Sequence, residues 1–170
     1  LFTNIFIFMA SHIIGIDVGT SSTKAVLIDV SGEVVDTIVP EYEFQTPRPL
    51  WAESNPTDWW DAAVKAIRAL LTKVDPESIV GLGLTGQMHG MVALDSTGEV
   101  LRPCIMWNDQ RTGKQCEVIT QKVGAEKVIQ LTGNPVLPGF TAPKIAWTRE
   151  NEPEIYGKIA KILLPKDYVR

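Results

Sequence analysis

The run Ile13–Asp17 is short, apolar and rich in β-branched residues, and it carries the carboxylate of Asp17 up to a turn spelled VGTSSTK. Gly19 suits a backbone turn at positive φ. Thr20, Ser21 and Ser22 gather hydroxyls and backbone N–H groups at the tip. Such donors match phosphate oxygens, and Lys24 adds a cation. Asp17 would repel phosphate unless a cation lay between them, so the set makes chemical sense with Mg²⁺ bridging carboxylate and phosphate. An ordinary hairpin, with Asp17 bonding the turn amides, accounts for the same letters. Neither a Walker A loop nor the GxGxxG dinucleotide fingerprint occurs.

A second set follows the apolar run Ile79–Thr85, in Gly86-Gln87-Met88-His89-Gly90. Loops at this end of a strand are where open α/β sheets present ligands. Gln87 and His89 both donate and accept hydrogen bonds, which suits a polyhydroxylated substrate, and the flanking glycines let it approach the backbone. A strained hairpin with a surface histidine fits equally. The third set is Trp107-Asn108-Asp109-Gln110-Arg111. An indole beside amide and carboxylate groups is a common way to meet a sugar. A core tryptophan followed by a helix cap explains the same letters.

These loops need elements to position them. Ile13–Asp17, Thr23–Ile28 and Val34–Glu43 read as three successive antiparallel strands, with DVSGEV (Asp29–Val34) as the second turn. The proline-rich EFQTPRPLWAESNP reads as loop. Asn55 then suits an N-cap, Pro56 the first helical position and Asp58 the first turn. Trp59, Ala63, Ile67, Leu70 and Val74 recur at helical spacing, and DPES stops the helix. Ile79–Thr85 lacks polar alternation, which predicts a strand buried on both faces and parallel to the first.

Sliding the chain by 66 residues places Asp29, Gly32, Glu33 and Val34 on Asp95, Gly98, Glu99 and Val100, which predicts a second hairpin from Met91–Leu94 and Val100–Trp107. Beyond it, Asp109 is expected to cap a helix from about Thr112 to Lys122. Helices over Ala125–Leu131 and Ala142–Glu150, a turn at LPGF and a strand at Ile159–Leu164 complete the reading.

The chain has 170 residues, 45% of them apolar, and a net charge of −4, as an ordinary globular domain does. That balance argues against disorder and against nucleic-acid or anionic-membrane partners. Cys104 and Cys116 form no CxxC motif and, with His12 and His89, no metal cage, which points to the reducing cytoplasm. The first residues, LFTNIFIFMA, carry no basic region and are too short to span a bilayer. Residues 1–11 are taken as an apolar leader, with Met9 a candidate start, and 12–170 as the domain.

Taken in order, IGIDVGTSSTKAVLID, LWAESNPTDWW, LGLTGQMHGMVALD, LRPCIMWNDQR, LPGFTAPKIAW and LLPKDYVR closely resemble the N-terminal region of the FGGY carbohydrate kinases. GQMHG, PGFTAPK and LLPKDY are most like members acting on D-xylulose. The resemblance implies an α/β fold with a ribonuclease H-like, actin-like core, its mixed sheet starting β-β-β-α-β with helices on both faces. It implies ATP-dependent transfer of the γ-phosphoryl group to D-xylulose, giving xylulose 5-phosphate, in a cleft between two domains. Asp17 would stand near Mg²⁺ and the transferring group. Gly19, Thr20, Ser21 and Lys24 would lie along the ATP phosphates, with Lys24 where relatives often have arginine. Met88 and His89 would contact the ketose, with Gln87, Trp107, Asn108 and Asp109 adjacent.

In this family the general-base aspartate, the adenine site and the second domain lie downstream of Arg170. The chain is therefore expected to hold the substrate half of the site, to be inactive alone, and to self-associate through bare apolar surface, as in a homodimer. Ribulose, gluconate and glycerol are alternative substrates, although Met88-His89 replaces the arginine and glutamate usual in glycerol kinases. A non-catalytic sugar-binding module is the alternative from another class.

Overall fold

The computed structural model describes residues 11–170. The apolar leader therefore lies outside the described residues, except for Ser11, whose N–H donates to the Ser78 carbonyl at 2.8 Å. In chain order the elements are β1 (His12–Val18), β2 (Thr23–Asp29), β3 (Val34–Ile38), β4 (Glu53–Ser54), α1 (Pro56–Leu70), a 3₁₀ turn (Pro76–Ser78), β5 (Ile79–Gly86), β6 (Val92–Leu94), β7 (Cys104–Ile105), α2 (Gly113–Val123), α3 (Ala125–Thr132), α4 (Thr141–Asn151), α5 (Pro153–Tyr156), β8 (Lys161–Leu163) and α6 (Pro165–Val169). Among the described residues, no helix is long and apolar enough to cross a membrane. They form two compact units, one from the residues up to Tyr42 with Trp59–Gly86, the other from Glu43–Asp58 with Gln87–Arg170.

In the first unit the sheet order is β3-β2-β1-β5. Neighbours β3, β2 and β1 are antiparallel, and β5 joins β1 in parallel after α1. This is the mixed β-β-β-α-β opening of a ribonuclease H-like core. Period-2 alternation sends Ile14, Ile16 and Val18 of β1 and Thr23, Ala25 and Leu27 of β2 to one face, where they are buried. Trp59, Ala63, Ala66 and Leu70 of α1 are buried in the same unit. Asn55 Oδ1 accepts from the Thr57 N–H at 3.4 Å, as an N-cap does.

Here α1 stops at Leu70, before Val74. The Thr72 and Lys73 amides turn back to Ala69 and Leu70, and Asp75 caps the 3₁₀ turn instead. Similarly, β3 ends at Ile38, because Pro40 has no N–H for a ladder. The chain stays beside β2 through the Thr23 N–H to Pro40 carbonyl bond, 3.1 Å long. The largest departure is β5. It is parallel to β1 as expected, yet Val80 and Leu82 are 51% and 53% exposed, because β5 is the sheet edge among the described residues.

Within the second unit, β4 pairs antiparallel with β7 and β6 with β8. The segment expected to be loop thus contains a strand. Pro47 and Pro49 lie ahead of it, so Ala52–Ser54 keep the N–H groups a ladder needs. The hairpin expected over 91–107 is reduced to bridges at Leu94–Val100 and Met91–Ile105, because Cys104 and Ile105 turn to β4 while β6 takes β8. Met91, Ala93, Ile105 and Trp147 form the core, backed by Trp51, Leu101 and Ile162.

The DxxGEV turns are built alike in the two units. Asp29 Oδ1 accepts from the Ser31 and Glu33 N–H groups at 2.8 and 3.0 Å, and Asp95 Oδ1 from those of Thr97 and Glu99 at the same distances. Gly32 and Gly98 take φ of 92° and 91°, a conformation only glycine adopts cheaply.

Candidate functional site

The turn between β1 and β2 begins at Gly19, whose N–H donates to the Ser22 carbonyl at 2.9 Å. The expected positive φ is absent; that conformation belongs to Gly32, Gly98, Gly124 and Gly133. Gly19 is needed for another reason: a Cβ there would lie 2.8 Å from the Ser22 carbonyl oxygen. With its N–H engaged by Ser22, Gly19 contributes shape rather than a phosphate donor. Tyr42 braces the turn from outside. Its hydroxyl donates to the Gly19 carbonyl at 2.9 Å and lies 3.2 Å from Thr23 Oγ1, while its N–H donates to the Ser21 carbonyl at 2.9 Å.

Asp17 and Lys24 are cross-strand partners, so both project from the sheet face opposite Ile14 and Leu27, and both are exposed. Gly15 and Gly83, paired on β1 and β5, floor a depression of about 410 Å³ beside them. At the end of β5 a Cβ on Gly86 would fall 2.8 Å from both Val18 Cβ and the Val18 carbonyl oxygen. The donors at this turn are a single carboxylate with hydroxyls. Among the described residues no group of three His, Cys, Asp or Glu side chains could hold a metal ion. A lone carboxylate fits Mg²⁺, which keeps several waters and is usually shared with substrate phosphates.

In the second unit, Gln87 is buried, His89 half-buried and Met88 59% exposed. The His89 ring packs on Phe140, with centroids 4.6 Å apart. Its carbonyl accepts from Thr141 Oγ1 at 3.2 Å and from Lys144 Nζ at 2.7 Å, and the same ammonium donates to the Gly139 carbonyl. Lys144 is fully buried on α4, and burial pushes its ammonium down to about 8. A Cβ on Gly139 would come within 2.7 Å of the Trp107 carbonyl oxygen, so the LPGF turn abuts the third loop.

Trp107 is 47% exposed, which excludes the core-tryptophan alternative. Asn108 Oδ1 is buried and without a hydrogen-bond partner among the described residues, a donor's natural target. Asp109 differs from its neighbours. It is fully buried and does not cap α2, whose N-terminal flank is Thr112. Its carboxylate accepts from the Ala52 N–H at 2.7 Å and from the Arg111 N–H and guanidinium at 2.7 to 3.0 Å. These bonds saturate its oxygens, so the sugar contact expected of Asp109 has no lone pair to use.

Below this loop lies a buried ionic network. Arg111 also reaches Glu53 at 2.7 Å, and Arg102 pairs with Glu53 and Glu152. Arg111 is stacked 3.6 Å from the Trp51 ring centroid and 4.9 Å from that of Trp147, themselves edge-to-face at 5.4 Å. The geometry adds Tyr42 and Lys144 to the residues the sequence singled out, and gives Arg111, already part of the third loop, its role as the partner of Asp109. Lys144, Trp147 and Thr148 at helical spacing gave the one available signal for a buried lysine face.

Residues 12–170 match the FGGY family of carbohydrate kinases, N-terminal domain. Xylulose kinase from Klebsiella pneumoniae is 45% identical over 157 residues, 92% of this chain and 32% of that protein. Gluconokinase from Bacillus subtilis is 35% identical over 95% of this chain and 31% of its own length. The solved xylulose kinase from Rhodospirillum rubrum superposes with a TM-score of 0.89 at 33% identity, covering 93% of this chain and 33% of that one. The chain thus spans about a third of the length of these relatives. The chain belongs to the FGGY family of carbohydrate kinases, and it matches that family's N-terminal domain.

Proposed function

We propose that this chain supplies the sugar-binding loops and the phosphate turn of an ATP-dependent kinase that phosphorylates D-xylulose to xylulose 5-phosphate. The observation that carries the reading is the Gln87–His89 loop, held by Lys144 and Phe140, in a chain 45% identical to a xylulose kinase. Gln87, Met88, His89, Trp107 and Asn108 meet the ketose: the indole covers an apolar sugar face, and the side-chain amides and imidazole satisfy its hydroxyls. Asp109 acts one step back, holding the Trp107–Asn108 loop to Ala52 and Arg111.

Asp17 would hold Mg²⁺, and Thr20, Ser21 and Lys24 would meet the phosphates, with Gly19 setting the turn. Bound Mg²⁺ would neutralise phosphate charge as it develops. Transfer of this kind depends on positioning across a closed cleft, so the 170-residue chain alone is expected to bind sugar weakly and turn over negligibly.

Isothermal titration of this chain with D-xylulose, D-gluconate and glycerol is the test. Saturable ketose binding lost in His89→Ala supports the reading; preference for gluconate replaces the sugar. The 35% identity to a gluconokinase makes gluconate the second reading. ATP-dependent formation of xylulose 5-phosphate by the isolated chain would overturn its inactivity.

A further inference from the structure

We infer that Lys144 is a positioning residue for the sugar loops, its ammonium tying the His89 carbonyl to the Gly139 carbonyl so that residues 87–90 and 137–140 stand as one wall. The assignment of these loops to a sugar rests on the function proposed above; the tie itself does not.

A lysine this deep is expensive to keep charged, and packing alone would be served better by methionine or leucine. What Lys144 provides instead is a donor with two backbone acceptors from separate segments, at 2.7 Å to His89 and closer to Gly139. No carboxylate forms an ion pair with it among the described residues, so its charge is directed at carbonyl oxygens. Neighbouring contacts extend the tie. Thr141 Oγ1 shares the His89 carbonyl, Phe140 stacks on the His89 ring, and Gly139 lies against the Trp107 carbonyl. Fixing these two carbonyls therefore orients the imidazole and seats the backbone under the indole.

The groups facing the ammonium are Cys104 from β7, Asp109 and Arg111 ahead of α2, and Cys116 on α2. Burial outweighs them and leaves an amine that loses its charge in mild alkali, near pH 8. A neutral amine donates more weakly than an ammonium, so the wall loosens as pH rises through that value.

Carbon-13 and nitrogen-15 NMR of the labelled chain, from about pH 6.5 to about pH 9.5, reads the tie directly. The His89 and Gly139 carbonyl carbons should move with Lys144 Nζ through one inflection near pH 8. In Lys144→Arg, which stays charged, that inflection should vanish. In Lys144→Met the amides of residues 87–90 should lose protection from hydrogen exchange roughly tenfold, with β1 and β2 unchanged and xylulose affinity falling in parallel. Carbonyl carbons that do not titrate together, or unchanged protection in a folded Lys144→Met, would overturn the inference. If that variant does not fold, the wild-type titration decides alone. Wild-type protein that binds no xylulose would remove the sugar reading and leave the tie to be judged by its carbonyl titration.

Discussion

The Tyr42 hydroxyl donates to the Gly19 carbonyl at 2.9 Å, so a side chain beyond the third strand braces the turn between the first two. Its oxygen also lies 3.2 Å from the buried Thr23 hydroxyl. Tyr42→Phe should therefore cost about 1 kcal/mol of stability in urea unfolding, while loosening the Gly19–Ser22 turn amides to exchange. An unchanged midpoint would mean that water replaces the phenol without loss.

Gly86 allows the end of β5 to touch β1. Alanine there would place Cβ 2.8 Å from the Val18 backbone oxygen, where no flexible side chain can yield. Gly86→Ala should destabilise by about 1–3 kcal/mol, and Gly19→Ala comparably. Gly81, with nothing within 4 Å of its built Cβ, is the control and should stay within about 0.5 kcal/mol of wild type.

Arg111 joins Asp109, Glu53 and two indole faces in one buried cluster. Arg111→Met strands the buried Asp109 carboxylate and leaves Glu53 with Arg102 alone, and a loss of roughly 3–5 kcal/mol is expected from thermal or denaturant melts. Lysine should rescue little, since it cannot fork or stack as guanidinium does. By contrast, Lys73→Ala, at the exposed Asp36 pair, should leave the midpoint where it is.

Stability should respond to alkali in two opposed ways. Lys144 releases its proton near 8 when folded and at an ordinary 10.5 when unfolded, so between these values the unfolded chain holds more protons and stability rises with pH. Cys104 runs the other way. Burial pushes its thiol up to about 12 from an ordinary 9.0, so from 9 upward the unfolded chain holds fewer protons and stability falls. Denaturant melts should improve from pH 8 towards 9 and flatten above it. Lys144→Met should abolish the rise, and Cys104→Ala should extend it.

The order β-β-β-α-β was legible because Ile14, Ile16 and Val18 alternate, α1 carries its own cap, and the chemistry of Asp29 and Asp95 closes their turns locally. What escaped was set by distant partners. Glu53 and Ser54 form a strand only because Ile105 and Cys104 arrive beside them, and no local pattern announces that pairing. Asp109 reads as a helix cap from its neighbours, yet its true partner is an N–H 57 positions earlier in the chain. β5 has the composition of a buried strand, but burial is a property of its neighbours, and at the sheet edge Val80 and Leu82 stay open. The chemistry-bearing loops were readable as residue types. The residues that hold them, Tyr42 and Lys144, act through backbone carbonyls and leave little trace in a motif.

The matched aspartate turns also bear on the tempo of assembly. Each closes between residues four apart, so the ends of β2 and β3 can meet within a flicker of chain diffusion, without waiting for distant partners. Pairing of β5 with β1 joins His12 to Ile79, and pairing of β6 with β8 joins Val92 to Leu163, so both seams must close long loops that the aspartate turns do not.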